Sequence, residues 1–225
     1  MTGDPSVGGP RFDSAVATGK GDDGTTGLLY GGDRIGKDDE RAEAYGTIDE
    51  AVAALGLARA ELGIKLQYGV IPPALAGMAE LTLRLQRELF VVAAELATNP
   101  AAWDRLEDGR TRVSADMVQG IDELLRDFES HIEMPTEFVV PGETRTSAAL
   151  ELARTVLRRA ERRAVALNRA ELVPGPHLLP YLNRLADLLW VLARAAEQAE
   201  SRRATPSRPG RRRKSGTRTE EEPNR

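Results

Sequence analysis

Residues 148–163, AALELARTVLRRAERR, constrain the fold more than any other stretch. Leu150, Ala153, Leu157, Ala160, Ala164 and Leu167 step by three and four, so a helix here has one seam to bury. At 100° per residue, Arg154, Arg158 and Glu161 share a strip beside that seam. Arg159 and Arg163 take the opposite flank, and Arg162 points further outward. The plain alternative is a solvated face whose Glu–Arg pairs contribute a few tenths of a kcal/mol each. A helix serving only a core has no need of five guanidinium groups.

Four other seams have the same period. Ile48, Val52, Leu55, Ala58 and Leu62 mark a helix over residues 45–62, with Gly63 and Pro72-Pro73 as stops. Leu75, Met78, Thr82, Leu85, Leu89, Val92 and Leu96 form a second, halted by Asn99-Pro100. Ser114 is an N-cap for a third through Met117, Ile121, Leu124, Phe128 and Ile132. The arginine helix is the fourth. Leu178, Leu182, Leu185, Leu189, Leu192 and Ala196 define the fifth. Residues 136–145, TEFVVPGETR, are a short β-branched run broken by Pro141-Gly142. Five seams with short connections and no strand alternation predict an all-α, antiparallel five-helix bundle.

The ends read differently. Residues 1–16 are rich in Gly, Pro, Ser and Asp and are expected to be disordered, as is the polar tail 201–225. The Arg211–Lys214 cluster in that tail is taken as solvated, so nucleic acid is not among the expected partners. The domain proper spans residues 17–200. Its first segment, ATGKGDDGTTGLLYGGDRIGKDD, carries seven glycines and is expected to be a loop that something must hold.

Several chemistries are excluded. With no cysteine, disulfides, thiol catalysis and thiolate metal sites are absent, and two histidines leave little for imidazole chemistry. A di-iron bundle needs Glu-x-x-His pairs, and neither His131 nor His177 has a Glu three residues before it. GGDRIGKD approaches a phosphate-loop pattern, but Asp38 stands where the magnesium-binding hydroxyl belongs. No apolar run approaches the ~20 residues that span a bilayer, and no basic-then-apolar leader opens the chain. The expected location is cytoplasmic. A net charge of −4 gives no bulk attraction to polyanions, so anion binding has to be local.

What remains is anion chemistry. Glycine-rich backbone can turn several N–H groups toward one phosphate. Thr18, Thr25 and Thr26 add hydroxyls, Lys20 and Lys37 add charge, and Arg154, Arg158 and Arg159 add paired donors. That inventory suits a nucleotide polyphosphate.

The strings TGKGDDGTTGL, GKDDERAEAYGTIDE, FVVPG, ARTVLRRAERR and YLNRLADLLWVLAR, in that order, resemble the PduO-type ATP:cob(I)alamin adenosyltransferases, or corrinoid adenosyltransferases. The resemblance covers residues 17–200. It implies a ferritin-like bundle of that family, assembled as a homotrimer with sites between subunits. It also implies transfer of the 5′-deoxyadenosyl group of ATP to the cobalt(I) of a reduced corrinoid, leaving triphosphate. Magnesium would accompany ATP, a reductase would supply the reduced corrinoid, and an adenosylcobalamin-dependent enzyme would be the client.

Carried over by motif, Thr18, Gly19, Lys20, Gly21, Thr26 and Gly27 would wrap the phosphates, with Lys37 reaching them from the next turn. Arg158, Arg159 and Arg162 would contact ATP, Glu161 would lie near the metal or ribose, and Asn183 would bind the nucleotide. Asp49 would pair with Arg154 across a subunit interface. Phe138 would stand against the lower face of the corrin, displacing the lower axial ligand. The likeness has departures: the family's T-[RK]-T-G-D is here Thr18-Gly19-Lys20-Gly21-Asp22, Gly36 precedes Lys37, and Glu143 follows Pro141-Gly142. The alternative they leave open is a catalytically weak corrinoid-binding or delivery protein of the same fold.

Overall fold

A computed structural model describes residues 14–208. Residues 1–13 and 209–225, with the Arg211–Lys214 cluster, lie outside the described residues. Five α-helices account for most of the described chain: α1 (Glu40–Gln67), α2 (Met78–Ala97), α3 (Ala115–His131), α4 (Arg145–Arg169) and α5 (Leu178–Ala199). Two 3-10 turns, Pro73–Leu75 and Pro100–Arg105, flank α2. Two-residue strands β1 (Thr25–Thr26) and β2 (Ile35–Gly36) pair antiparallel, as do β3 (Val139–Val140) and β4 (Thr205–Pro206).

Contacts between helices fix their directions. Arg145 meets Glu61, Arg159 meets Glu50 and Arg163 meets Glu43, so α1 and α4 run antiparallel. Gln86 donates to the Val52 carbonyl at 2.8 Å while Arg41 reaches the Leu96 carbonyl, which sets α2 against α1. Arg194 lies beside Glu151 and Asn183 beside Glu161, which sets α5 against α4. α3 pairs Asp122 with Arg184, and the chain just past its end meets Gln198, so α3 runs with α5. Direction therefore alternates along the chain, as short connections require. The predicted seams are its interior: the named residues of α2, α4 and α5 are all buried, whereas α3 buries only Met117 and Ile121.

Three helix boundaries differ from the sequence reading. α1 begins at Glu40, because the Asp39 carboxylate accepts the Arg41 amide at 2.8 Å. It continues through Gly63, whose helical cost is about 1 kcal/mol, with ion pairs to other helices on both sides, Glu61–Arg145 and Lys65–Glu200. The true stop is Gly69 at φ +64°, where Gly69 N–H donates to the Leu66 carbonyl and Val70 N–H to that of Lys65. α4 starts at Arg145 rather than Ala148, because Thr144 and Ser147 cap each other reciprocally at 3.0 and 3.2 Å. Ser114 does cap α3, accepting from the Met117 amide at 3.3 Å.

The tail needs a correction. The first of its residues, expected to lack structure, instead contribute β4, and Thr205 and Pro206 pair with Val140 and Val139. Among the described residues no helix is long and apolar enough to cross a membrane.

Arg41 and Glu95 are ionisable groups deep in the bundle. Arg41, buried at the start of α1, donates to the carbonyls of Leu96 at 3.2 Å, Thr98 at 2.9 Å and Leu172 at 3.4 Å. Burial lowers its pKa, and these carbonyls supply the partners that a guanidinium out of water requires. Glu95 is fully buried, and desolvation raises its pKa from 4.5 to about 7. Its Oε2 accepts the Val113 amide at 2.7 Å.

Candidate active site

The glycine-rich segment is ordered around its own backbone. β1 and β2 align Thr25 with Gly36 and Thr26 with Ile35. The turn before them needs glycine at Gly19 and Gly24, with φ +71° and +78°. Lys37 closes the hairpin: its amide donates to the Gly24 carbonyl at 2.8 Å, and its ammonium to the Gly21 carbonyl at 2.7 Å. A Cβ on Gly21 would come within 2.9 Å of the Lys37 Nζ, so this glycine permits the approach. Asp23 accepts from the Thr25 amide and hydroxyl, and these bonds hold its carboxyl below the usual range.

Arg34, which the sequence reading passed over, braces the same turn. It donates to the Lys20 carbonyl at 2.7 Å, the Thr25 carbonyl at 2.9 Å and the Thr25 hydroxyl at 2.6 Å. Its signal was positional: it lies just before the strand that pairs with Thr25. Thr18, Lys20 and Lys37 are exposed, and Thr26 is half-buried. Threonine hydroxyls, backbone amides and two lysines therefore gather on one hairpin. Leu29 anchors it to the end of α2 by bonds with Ala97 and Asn99.

α4 supplies a second group. Arg158 is exposed, and its side chain makes no hydrogen bond or ion pair among the described residues. One turn on, Glu161 accepts from the Asn183 amide of α5 at 3.3 Å. Arg162 folds back to donate to the Arg158 carbonyl at 2.9 Å. The opposite flank is occupied otherwise: Arg159 pairs with Glu50, and Arg163 with Glu43 and Thr47 of α1. Within one chain Arg159 thus serves the α1–α4 contact and does not join Arg158.

A third group lies near the start of α4. Phe138, 87% exposed, and Arg154 share a cleft of about 500 Å³ with Glu151, Trp190 and Pro141. Arg154 Nε donates to Glu151 Oε2 at 2.6 Å. Trp190, also missed at first, lies seven residues after Asn183, two turns along the same face of α5. Glu151 lies three residues before Arg154, the spacing at which helical side chains meet. Asp49 is exposed on α1, and in a single chain it makes no contact with Arg154.

These groups lie along the length of the bundle. The hairpin adjoins the start of α1 and the end of α2; the Phe138 cleft adjoins the start of α4 and the second half of α5. Because α1 and α4 run antiparallel, those are opposite ends. Among the described residues no hydrogen bond or ion pair joins the hairpin to Arg154, Arg158 or Glu161. Nor, among them, do three or more His, Cys, Asp or Glu side chains gather as a metal cage.

Comparison with known proteins shows what this chain is similar to. Residues 16–196 match the family described as cobalamin adenosyltransferase. The chain is 37% identical over 185 residues to a corrinoid adenosyltransferase of Citrobacter freundii, covering 81% of this chain and 94% of that protein. It is 34% identical over 174 residues to a corrinoid adenosyltransferase of Bacillus subtilis, covering 77% and 82%. Among solved structures it resembles a variant PduO-type ATP:corrinoid adenosyltransferase from Lactobacillus reuteri complexed with cobalamin and ATP. The TM-score is 0.71 at 26% identity, covering 85% of this chain and 98% of that one.

Proposed function

The chain belongs to the cobalamin adenosyltransferase family, and from that premise we propose that it moves the 5′-deoxyadenosyl group of ATP onto the cobalt(I) of a reduced corrinoid. The cobalt lone pair forms a bond to C5′ as the C5′–O bond breaks, and triphosphate leaves with that electron pair. Because the metal of the substrate is the nucleophile, the protein needs no activated serine, cysteine or histidine. Its own residues orient the two substrates and receive the negative charge of the leaving group.

The observation that carries this reading is Arg158, an exposed guanidinium without a partner, one turn from the Glu161–Asn183 pair. Arginine at such a position is suited to paired contact with phosphate oxygens. The hairpin from Thr18 to Gly27 with Lys37 would hold the phosphates, and Phe138 would face the corrin. Magnesium, when bound with ATP, would neutralise phosphate charge, and Glu161 is the residue that would hold it.

We further infer a cytoplasmic homotrimer in which one subunit's hairpin serves another's α4. The lack, among the described residues of one chain, of any hydrogen bond or ion pair between hairpin and arginine strip supports this, as does the exposed Asp49, free to meet Arg154 of a neighbour. The test is an absorbance assay with ATP, magnesium and chemically reduced cobalamin, with phosphate products resolved by chromatography. Adenosylcobalamin and triphosphate are expected. Pyrophosphate plus phosphate, or no cobalt–carbon bond, overturns the reading.

A further inference from the structure

The loop that carries Phe138 has no regular structure of its own to hold it. Residues 133–143 join α3 to α4, and among the described residues every hydrogen bond they make to another part of the chain goes to residues 198–207. At the loop's start the Gln198 side chain grips Glu133 twice: its Nε2 donates to the Glu133 carbonyl at 2.6 Å, and its Oε1 accepts the Glu133 amide at 2.9 Å. In the middle, β3 and β4 pair, and the Ser207 amide donates to the Phe138 carbonyl at 2.7 Å. Near its end, Glu143 accepts from the Thr205 hydroxyl.

The register explains why this sequence can form the ladder. Since Phe138 and Ser207 are a hydrogen-bonded pair, alternation makes Val140 and Thr205 the next one, with Val139 and Pro206 between them unbonded. Pro206 therefore stands where its missing N–H removes nothing. The backbone on both sides of an almost fully exposed phenylalanine is thus fixed from outside the loop.

We propose that residues 198–207 form a positioning strap whose task is to present Phe138 to the corrinoid. The strap rests on the functional reading above, because it assumes that Phe138 meets that substrate. Without the strap, loop 133–143 retains its attachments to α3 and α4 but loses the restraints next to the aromatic ring. An ordered aromatic binds with less entropic loss than a mobile one. The strap therefore acts on engagement of the corrinoid, and among the described residues it makes no hydrogen bond to the ATP hairpin of its own chain.

Three proteins test this: the full chain, Ser207→Pro, which deletes the amide bonded to Phe138, and a chain ending at Ala204. Amide exchange at Val140 and KM for ATP and for reduced cobalamin are measured on each. Val140 should exchange at least tenfold faster in both variants. KM for cobalamin should rise at least fivefold, with KM for ATP within twofold of the full chain. Unchanged exchange overturns the strap, and faster exchange with an unchanged cobalamin KM overturns its role. An equal rise in both KM values marks general damage and also overturns it. Should the shortened chain fail to fold, Ser207→Pro decides alone. If the full chain forms no cobalt–carbon bond, the functional reading fails, and cobalamin binding measured by equilibrium dialysis replaces KM.

Discussion

Glu151 orients Arg154: its Oε2 accepts from Arg154 Nε at 2.6 Å while its other oxygen lies 3.4 Å from Nη2 of Arg194. Arg194 is only 1% exposed and is also paired with Glu197 at 2.8 Å, so one carboxylate links a cleft residue to a charge in the core. Glu151→Gln keeps the shape and removes the charge. A buried ion pair broken from one side costs about 3 kcal/mol, and urea unfolding should register a loss of that size. A loss below about 1 kcal/mol would mean that Arg194 is held by Glu197 alone.

Arg158→Ala separates chemistry from folding. The side chain is exposed and unpaired, so the unfolding midpoint should not move. Turnover should fall about 100-fold, the equivalent of some 2.7 kcal/mol of leaving-group stabilisation. A wild-type kcat would remove Arg158 from the site.

Phe138→Ala makes a similar separation at the other substrate. An 87% exposed ring contributes little to the core, so stability should stay within about 0.5 kcal/mol of wild type. KM for the corrinoid should rise and KM for ATP should not. Equal effects on both would place the ring elsewhere than the corrin face.

Glu95 gives the fold a pH dependence. Its folded pKa of about 7 exceeds the unfolded value near 4.5, so the folded state holds the proton more tightly. The resulting stability is fully present below pH 4.5 and is lost as pH rises through 7, up to about 3 kcal/mol. Glu95→Gln should flatten the stability profile between pH 5 and 8, measured by urea titration at each pH. Parallel profiles for the two proteins would show that Glu95 ionises normally.

Much of the bundle was legible because burial leaves a period in the sequence. Leu178 to Ala196 and Leu150 to Leu167 could pack only one way, and they did. Helix ends were less so: Thr144 and Ser147 make both bonds of a reciprocal cap, but serine at the third position is a weaker written signal than glutamate, and Gly63 reads as a stop although the helix runs past it to Gln67. The site residues split on the same line. That Arg154, Arg158 and Glu161 share one strip of α4 follows from angle alone. The bracing by Arg34 depends on strand register, and the pairing of β4 with β3 joins residues some 65 apart, which no local pattern announces.

Arg41 has a last consequence. One guanidinium caps carbonyls at Leu96 and Thr98 and reaches a third at Leu172, 55 to 131 residues away in sequence. Releasing any one of these segments takes a carbonyl partner from a guanidinium that is otherwise buried, so each release carries a cost. Three stretches far apart in sequence are thus tied at one point beneath the hairpin, whose Leu29 bonds to Ala97 and Asn99 beside them.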